Sequence, residues 1–385
     1  MRHIVGTITP TTHIHQTAPN KDGNTSRTTK TYVWDAARVR REIPFVTGNS
    51  VRGLLRRHAA MRVLDALNAP VSRSVFSVLT SGKSTRKDIG FQAGAKILAD
   101  GTSNVFAGLF GGGGYMLRSR FGIGPILPMV EWCSGMLHPD LVDQSIPAER
   151  LRFEVFEGPN AGRVFDVPLT TEIILTSKDD ILAGKGESYI KDGQRSIDEW
   201  ISMVTAGRVA KASKKAEAED AKRRGEKPAQ QKSSEGGSVD VVGLNLIEAI
   251  LPGTPMQFWL RFADRATDAQ VGLMLLAVQD WANANVLGGA SSRGFGRFNA
   301  DLWLYDDIHP EPRRLFVQRG HDVSYDLSPE LELFTSAARD ALSAMQVKDL
   351  EDVFGTDVTE KMEKDGDKKK KGGKAEAQDG DDSDE

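Results

Sequence analysis

The residue types best suited to binding phosphate are concentrated in one segment, Gly288-Gly289-Ala290-Ser291-Ser292-Arg293-Gly294-Phe295-Gly296-Arg297. Successive backbone N–H groups in such a loop can form a concave anion site, and glycine lets a ligand approach the backbone closely. The arginines add forked donors that match phosphate. The alternative is a helix end and a tight turn whose arginines point into water. The candidate ligand residues are Gly289, Ser291, Ser292, Arg293, Gly294, Gly296 and Arg297.

A second candidate lies at a predicted helix start between residues 44 and 57. The first turn of a helix offers N–H groups without partners and the positive end of the helix dipole. Asn49 and Ser50 can cap that turn or bind a phosphate, and Arg52 and Arg56 share a face because they are four residues apart. The alternative is a capped helix with a solvated basic face. We expect both candidate segments to meet on one side of the molecule and form a single cationic trough.

Few residues could catalyse a reaction or hold a metal. His13 and His15 would point to the same side of a strand, but no further cluster of cysteine, histidine or carboxylate accompanies them. Cys133 is the only cysteine, which excludes an internal disulfide and a thiolate metal cluster and is typical of a reducing cytoplasm. We therefore expect no metal, no cofactor and no catalytic residue, and we expect the chain to be cytoplasmic.

Two long helices and several strands must position the candidate segments. One helix follows Ser50, and the other follows a capping box formed by Thr267 and Gln270. Trp259 and Trp281 are assigned to the core. Strands are predicted within residues 3–9, 115–130, 239–251, 256–262 and 298–305, with a hairpin over 151–175.

The order of these elements is strand, helix, strand, long insertion, strand, helix, strand, which predicts an α+β protein with a βαββαβ ferredoxin-like core. The core domain spans residues 1–310 and carries an insertion at about 131–250. Residues 71–104 are polar and are expected to be irregular. Residues 311–355 form a C-terminal helical extension with a helix at 329–345, and 356–385 form a disordered charged tail.

Charge is distributed unevenly along the 385 residues, although the formal net charge is only −3. Basic residues predominate between Arg27 and Arg57 and again between Arg208 and Lys232, and the acidic residues of the C-terminal end offset them. The most apolar region, 105–130, is interrupted by two arginines. We therefore expect no membrane partner.

Three motifs together resemble the RAMP superfamily, and within it the backbone subunit of class 1 CRISPR effector complexes, with type IV as the preferred subtype. They are Thr47-Gly48-Asn49-Ser50-Val51-Arg52-Gly53-Leu54-Leu55-Arg56, Leu109-Phe110-Gly111 and Ser292-Arg293-Gly294-Phe295-Gly296. The resemblance covers roughly residues 1–305 and does not include the tail or the 205–238 tract.

That resemblance implies an RRM-like palm that binds CRISPR RNA through its phosphates, and a thumb hairpin within 131–250 that wedges between guide nucleotides. It also implies a helical filament of copies of this chain, other effector subunits as partners, and a complementary target strand, DNA in type IV. Base pairing would then supply specificity. The hairpin at 151–175 and the basic run after Arg208 are both candidates for the thumb.

Two other functions stay open from the sequence. The first is an enzyme, either a metal-dependent RNA endonuclease that uses Asp22 or Asp35, or a guide-processing ribonuclease that uses His13, His15 or His58. The second is an RRM-like module that acts as a monomer. The expectation from the residues is a binding subunit without nuclease activity.

Overall fold

The protein has an α+β fold built from antiparallel sheets and several helices. The computed structural model describes residues 2–19, 25–35, 38–83, 95–113, 117–156, 159–176, 244–306, 309–318 and 325–354, together with scattered positions between 192 and 206. Everything said below concerns these residues. The predicted charged tail, nearly all of the 205–238 tract and Asp22 lie outside them.

The strands of this part of the chain are β1 (His3–Pro10), β2 (Thr25–Ser26), β3 (Lys30–Trp34), β4 (Arg40–Pro44), β5 (Phe121–Ile123), β6 (Arg152–Glu154), β7 (Val164–Asp166), β8 (Thr170–Thr176), β9 (Leu244–Ile250), β10 (Met256–Phe262), β11 (Phe298–Asp306), β12 (His309–Arg314), β13 (Phe316–Gln318) and β14 (Tyr325–Leu327). The α-helices are α1 (Gly48–Leu67), α2 (Arg73–Ser81), α3 (Ala95–Ser103), α4 (Val105–Phe110), α5 (Asp268–Ala284), α6 (Glu332–Ser343) and α7 (Val347–Phe354). Short 3-10 helices lie at Glu131–Met136, Pro139–Gln144, Ala148–Leu151, Ser291–Arg293 and Pro329–Leu331.

The main sheet has five strands in the order β12-β11-β1-β10-β5, and all of its pairs are antiparallel. β1 lies at the centre, where His3 is opposite both Arg261 and Tyr305. Successive side chains of a strand point to opposite faces. Ile4 and Ile8 therefore face one side of the sheet, and both are fully buried there.

The helices cover that buried side. Leu55 and Val63 of α1 and Leu275 and Trp281 of α5 pack with the sheet in one apolar cluster, to which α2, α4 and α6 also contribute. Trp281 is fully buried, as predicted. The capping box is also confirmed, because the Thr267 hydroxyl accepts from the Gln270 backbone and the Gln270 side chain accepts from the Thr267 backbone.

A smaller apolar cluster covers part of the other face of the sheet. It joins Val5 of β1 to Val130, Cys133 and Leu141, which belong to the segment of 3-10 helices. Burial raises the pKa of the Cys133 thiol to about 12. The thiol therefore stays protonated at neutral pH and packs as a small apolar side chain.

Three details differ from the sequence prediction. Residues 71–104 contain α2, α3 and the linker to α4, whereas we expected irregular structure. Thr47, rather than Asn49 or Ser50, caps α1. The extension at 311–355 is predicted to be helical. It contains α6 and α7, but most of β12 and all of β13 and β14 come before them. The predicted hairpin at 151–175 is present as the pair β6 and β7.

Compact packing divides the chain into two units. The first contains Met1–Ala18, Thr28–Thr171 and Ala249–Glu385, and it includes the main sheet and the helices named above. The second contains Pro19–Arg27 and Glu172–Glu248. A three-stranded sheet with the order β2-β9-β8 belongs mainly to this second unit. Within the described residues, no helix combines the length and apolar character needed to cross a membrane.

Candidate nucleic-acid interface

Glycines anchor the segment between α5 and β11 to the chain that follows β1. The Gly289 N–H donates to the His15 carbonyl at 2.7 Å, and the Gly296 N–H donates to the His13 carbonyl at 2.8 Å. Gly288 has a φ of +81°, and a Cβ there would lie 2.5 Å from the His15 carbonyl oxygen. These glycines therefore allow close contact with the protein's own backbone. From the sequence, they were expected to allow close contact between the backbone and a ligand.

The tip of this segment is exposed. Ser291, Ser292 and Arg293 form one 3-10 turn between Ala290 and Gly294, and both flanking residues have left-handed backbone conformations. Within the part of the chain that the structure describes, no hydrogen bond or ion pair engages the Arg293 side chain, and a Cβ on Gly294 would meet nothing within 4 Å. Two hydroxyls and a guanidinium are thus presented together to solvent, and this combination can bind a phosphate.

Arg297 has a different role from Arg293. Its Nη1 donates to the carbonyl oxygens of Ala284 and Asn285, at 3.2 and 3.4 Å. These carbonyls belong to the C-terminal end of α5, where the helix leaves acceptors without partners. Arg297 therefore caps α5, and because its side chain is exposed it can still offer its remaining donors to a ligand.

The start of α1 contacts the edge of the main sheet. The Thr47 hydroxyl accepts from the Ser50 N–H at 3.3 Å and lies 2.9 Å from the Ser50 hydroxyl. A Cβ on Gly48 would lie 2.8 Å from the Ile123 carbonyl oxygen, so only glycine permits this approach to the residues around β5. Asn49 is exposed, and Ser50 is half-buried with its hydroxyl beside the cap.

Arg52 is partly committed to the protein. Its Nη2 donates to the Phe110 carbonyl at 2.9 Å, and its guanidinium lies 5.0 Å from the centre of the Phe121 ring. Burial lowers the pKa of Arg52. The side chain therefore joins the end of α4 to β5, and only part of it is open to a ligand.

Arg56 does not have the solvent-facing role that the sequence analysis predicted. Its residue is 5% exposed, and its guanidinium donates to four carbonyl oxygens at 2.6–3.3 Å. They belong to Val78 and Leu79 near the end of α2 and to Phe110 and Gly111 at the end of α4. Burial, and next the charge of Arg52, lowers the pKa of Arg56 to about 10. Arg56 is a structural cation that joins two helix ends.

Arg52 and the exposed tip lie at opposite ends of β1. Arg52 contacts Phe121, which pairs with Phe262, and the Phe262 N–H donates to the Arg2 carbonyl just before β1. The tip leads into β11 at Phe298, which pairs with the last residue of β1. The eight residues of β1 span roughly 25 Å at about 3.3 Å per residue. Arg52 and the tip therefore do not lie side by side, and a single trough that joins the two segments stays a prediction.

A groove on the sheet face opposite α1 and α5 was not predicted. It has a volume of about 670 Å³ and lies between the sheet and the segment of 3-10 helices. The His3 ring stacks on the Tyr305 ring with centroids 4.8 Å apart, and the His138 ring lies 6.4 Å from that of Trp259. Trp259 is thus part of a groove wall as well as the smaller core, and is not fully buried. Alternation along β1, β10 and β11 could have placed three of these rings on one face.

Asp35 and His15, two of the residues proposed for catalysis, each have partners within the protein. The Asp35 carboxylate, which is 7% exposed, accepts from the Val39 N–H at 2.8 Å and from Arg41 Nε at 2.9 Å. The His15 ring is buried against Thr17, with Nε2 and the hydroxyl 3.1 Å apart. Asp35 is therefore occupied by a cation and a backbone donor, which is the environment of a structural carboxylate.

Two further histidines were considered for a ribonuclease. The His13 ring lies 6.0 Å from the Phe295 ring, beside the anchor of the glycine-rich segment. His58 lies on α1 and lines a cavity with Arg62 and Asp280. Burial lowers the pKa of His58, the charge of Asp280 opposes this, and the charges of Arg57 and Arg62 add to it.

Among solved structures, a chain described as "Type IV-B CRISPR Complex" is similar to this protein with a TM-score of 0.41 and 16% sequence identity. The superposition covers 78% of this chain and 90% of that chain. No protein-family model matches the sequence, and no curated protein matches it.

Proposed function

We propose that this chain is an RNA-binding subunit that coats the guide RNA of a class 1 CRISPR effector complex, with type IV as the preferred subtype. The observation that carries the proposal is the exposed Ser291-Ser292-Arg293 turn. Glycine-mediated backbone contacts hold this turn at the start of β11, and its side chains offer donors of the kind that bind phosphate.

The order of the strands supports a ferredoxin-like core. Taken in chain order, β1, β5, β10 and β11 serve as the four strands of a βαββαβ unit, with α1 after the first and α5 after the third. In the sheet they lie as β11-β1-β10-β5, so the first and third strands are central. Both helices pack on the same face. This arrangement is what the RRM-like palm of the proposed family requires.

Phosphate contacts explain the chemistry of the turn better than base recognition does. A guanidinium and two hydroxyls bind phosphate oxygens whatever the base, which suits a subunit that must accept any guide sequence. The proposed contact set is Ser291, Ser292 and Arg293, with Arg297 at its edge. Asn49 marks a second, separate contact at the start of α1, and Arg56 is removed from the set because it is buried.

The β6–β7 hairpin supports the proposed thumb. Phe156 just after β6 is 82% exposed, and Val164 of β7 is 61% exposed. These exposed apolar side chains are available for contact with another molecule. We propose that the hairpin contacts the guide RNA or a neighbouring copy in a helical filament, within the inserted region 131–250.

The proposed partners are CRISPR RNA, copies of this chain, other effector subunits and a complementary target strand, which is DNA in type IV. In this function the chain holds the guide, and base pairing selects the target. The chain itself carries out no cleavage. The environment of Asp35, which is paired with Arg41 and a backbone N–H, supports this part of the proposal.

Co-purification tests the proposed function. The full-length chain is expressed with a guide-bearing transcript, and the retained RNA is quantified and sequenced. We expect wild type to retain guide RNA and the triple variant Ser291→Ala, Ser292→Ala, Arg293→Ala to retain about tenfold less, because charged hydrogen bonds to phosphate are lost. Arg265→Ala, an exposed arginine just before α5, is the matched control and should behave as wild type. Equal retention by all three proteins would contradict the proposal.

The nuclease alternative has its own test. The purified ribonucleoprotein is incubated with complementary RNA and Mg²⁺, and the products are separated by length. We expect uncut RNA. Regularly spaced products that disappear in Asp22→Ala or Asp35→Ala would show that the chain is an endonuclease.

A further inference from the structure

Three potential metal ligands meet in the groove on the open face of the main sheet. His3 lies at the first position of β1, and His138 and Asp140 lie at the start of the Pro139–Gln144 helix. One ligand atom from each residue lies within 4.8 Å of the others. No metal site is expected from the sequence, in which no cluster of cysteine, histidine or carboxylate accompanies His13 and His15.

The distances in this cluster are too long for hydrogen bonds. His3 Nε2 lies 4.0 Å from Asp140 Oδ2, and His138 Nδ1 lies 3.6 Å from the same oxygen. Hydrogen bonds between such atoms would be about 2.7–3.2 Å long. Two ligands bound tetrahedrally to one Zn²⁺ at about 2.0–2.2 Å are separated by roughly 3.3–3.6 Å. The separation between His138 and Asp140 fits this geometry, and His3 would have to move a few tenths of an ångström towards Asp140 to complete it.

The fold holds each ligand from a different side. The His3 ring stacks almost parallel on Tyr305, at an interplanar angle of 4°. The His138 N–H donates to the Gln257 side chain at 2.9 Å, and that side chain donates in turn to the Met136 carbonyl at 3.2 Å. Gln257 is fully buried in β10. The helical turn that carries His138 and Asp140 is thus fixed to the sheet that carries His3.

The surroundings suit a cation. The side chains of His3, His138 and Asp140 are 27%, 23% and 41% exposed, so ions can reach them from the groove. The Asp140 carboxylate places a negative charge beside both imidazoles, with Oδ2 3.6 Å from His138 Nδ1 and 4.0 Å from His3 Nε2. His138 Nδ1 accepts only a long hydrogen bond, 3.4 Å, from the Asp140 N–H.

We propose that His3, His138 and Asp140 bind one divalent transition-metal ion, of which Zn²⁺ is the probe. Two imidazoles and one carboxylate form a ligand set that suits Zn²⁺ and similar transition-metal ions better than it suits Mg²⁺ or Ca²⁺. The bound ion links β1 to the segment of 3-10 helices and leaves at least one coordination position facing the groove. This proposal is independent of RNA binding.

Titration of the untagged full-length chain tests the site. The protein is treated with EDTA, desalted and titrated with ZnCl₂ by calorimetry in a buffer that does not chelate. We expect one Zn²⁺ per chain, and at least tenfold weaker binding in Asp140→Asn and in His138→Gln. Asp143→Asn is the matched control, because it is an exposed carboxylate of the same helical turn, and it should bind as wild type does. Unchanged affinity in both ligand variants, or no binding to wild type, would overturn the proposal.

X-ray absorption of the zinc-loaded wild type gives a second test. It needs no variant, so the unfolding of a variant cannot affect its result. We expect two imidazole ligands with light-atom neighbours at about 2.0–2.2 Å. A sulfur neighbour from Cys133, or a single imidazole, would contradict the proposed ligand set.

Discussion

At the scale of single residues, Arg56 shows how charge can mislead. Its position four residues after Arg52 is typical of a solvated basic face. The structure buries it instead, because the helix ends of α2 and α4 both present carbonyls that need a donor. These partners come from distant parts of the chain, and no local pattern reveals them.

Replacing Arg56 should therefore destabilise the protein. Arg56→Ala removes the Arg56 donor from four buried carbonyls, of which those of Phe110 and Val78 keep another donor, and we expect a loss of about 3 kcal/mol in the free energy of unfolding. Arg56→Lys should recover only part of it, since an ammonium cannot reproduce the planar fork. Arg57→Ala, the exposed neighbour, should change stability by less than about 0.5 kcal/mol. Urea unfolding measures all three, and equal effects at positions 56 and 57 would refute the structural role.

His58 should make stability sensitive to acid. Its pKa is lowered in the folded state, chiefly by burial, so the unfolded chain binds the proton more readily. The contribution of His58 to stability is therefore lost as the pH falls below about 6.5, until the folded-state pKa is reached. His58→Gln should reduce the fall in unfolding midpoint between pH 7 and pH 5. The exposed His309→Gln is the control, and equal pH dependence in wild type and His58→Gln would contradict the assignment.

At the scale of elements, the glycine-rich segment serves two purposes with different glycines. Gly288 and Gly296 let it lie against neighbouring backbone, whereas Gly294 only needs a left-handed conformation at an exposed turn. The sequence could predict a loop with free donors. It could not distinguish the two purposes, because the distinction depends on how close His15 and Leu287 lie to the segment.

Alanine substitutions separate these purposes. Gly294→Ala should cost about 1 kcal/mol, since only the backbone conformation is unfavourable. Gly296→Ala should cost about 2–4 kcal/mol, because the new Cβ would also lie 2.4 Å from the Leu287 carbonyl oxygen. Thermal or urea unfolding of both variants measures this order, and the reverse order would contradict it.

Elements with long apolar periodicity were predictable, and short ones were not. α1 and α5 have 20 and 17 residues, which gives the pattern several repeats. α2 has nine residues, so its buried positions Ser74, Val75, Val78 and Leu79 repeat over too few turns to establish a period. β1 and β11 were predicted as strands, but their partners across the sheet could only be inferred from the order of elements.

At the scale of the whole molecule, the sequence predicted an α+β architecture with two phosphate-binding segments. The sheet places Arg52 and the exposed tip near opposite ends of β1. A sequence-tolerant RNA subunit does not require one continuous trough, because separate phosphate contacts can hold successive parts of one strand. The groove that carries His3 and His138 lies on the face of the sheet away from α1 and α5. Both faces of the sheet therefore carry candidate functional residues.

The most direct test of the central claim is the salt dependence of RNA binding by the full-length chain. Fluorescence anisotropy is measured with two labelled single-stranded RNAs of unrelated sequence, for wild type, Arg293→Ala and the control Arg265→Ala. We expect Arg293→Ala to weaken binding equally for both RNAs and to reduce the slope of log K against log salt by about 0.7, the value of one lost phosphate contact. An unchanged slope in Arg293→Ala, or a loss confined to one RNA, would contradict phosphate binding at the exposed turn.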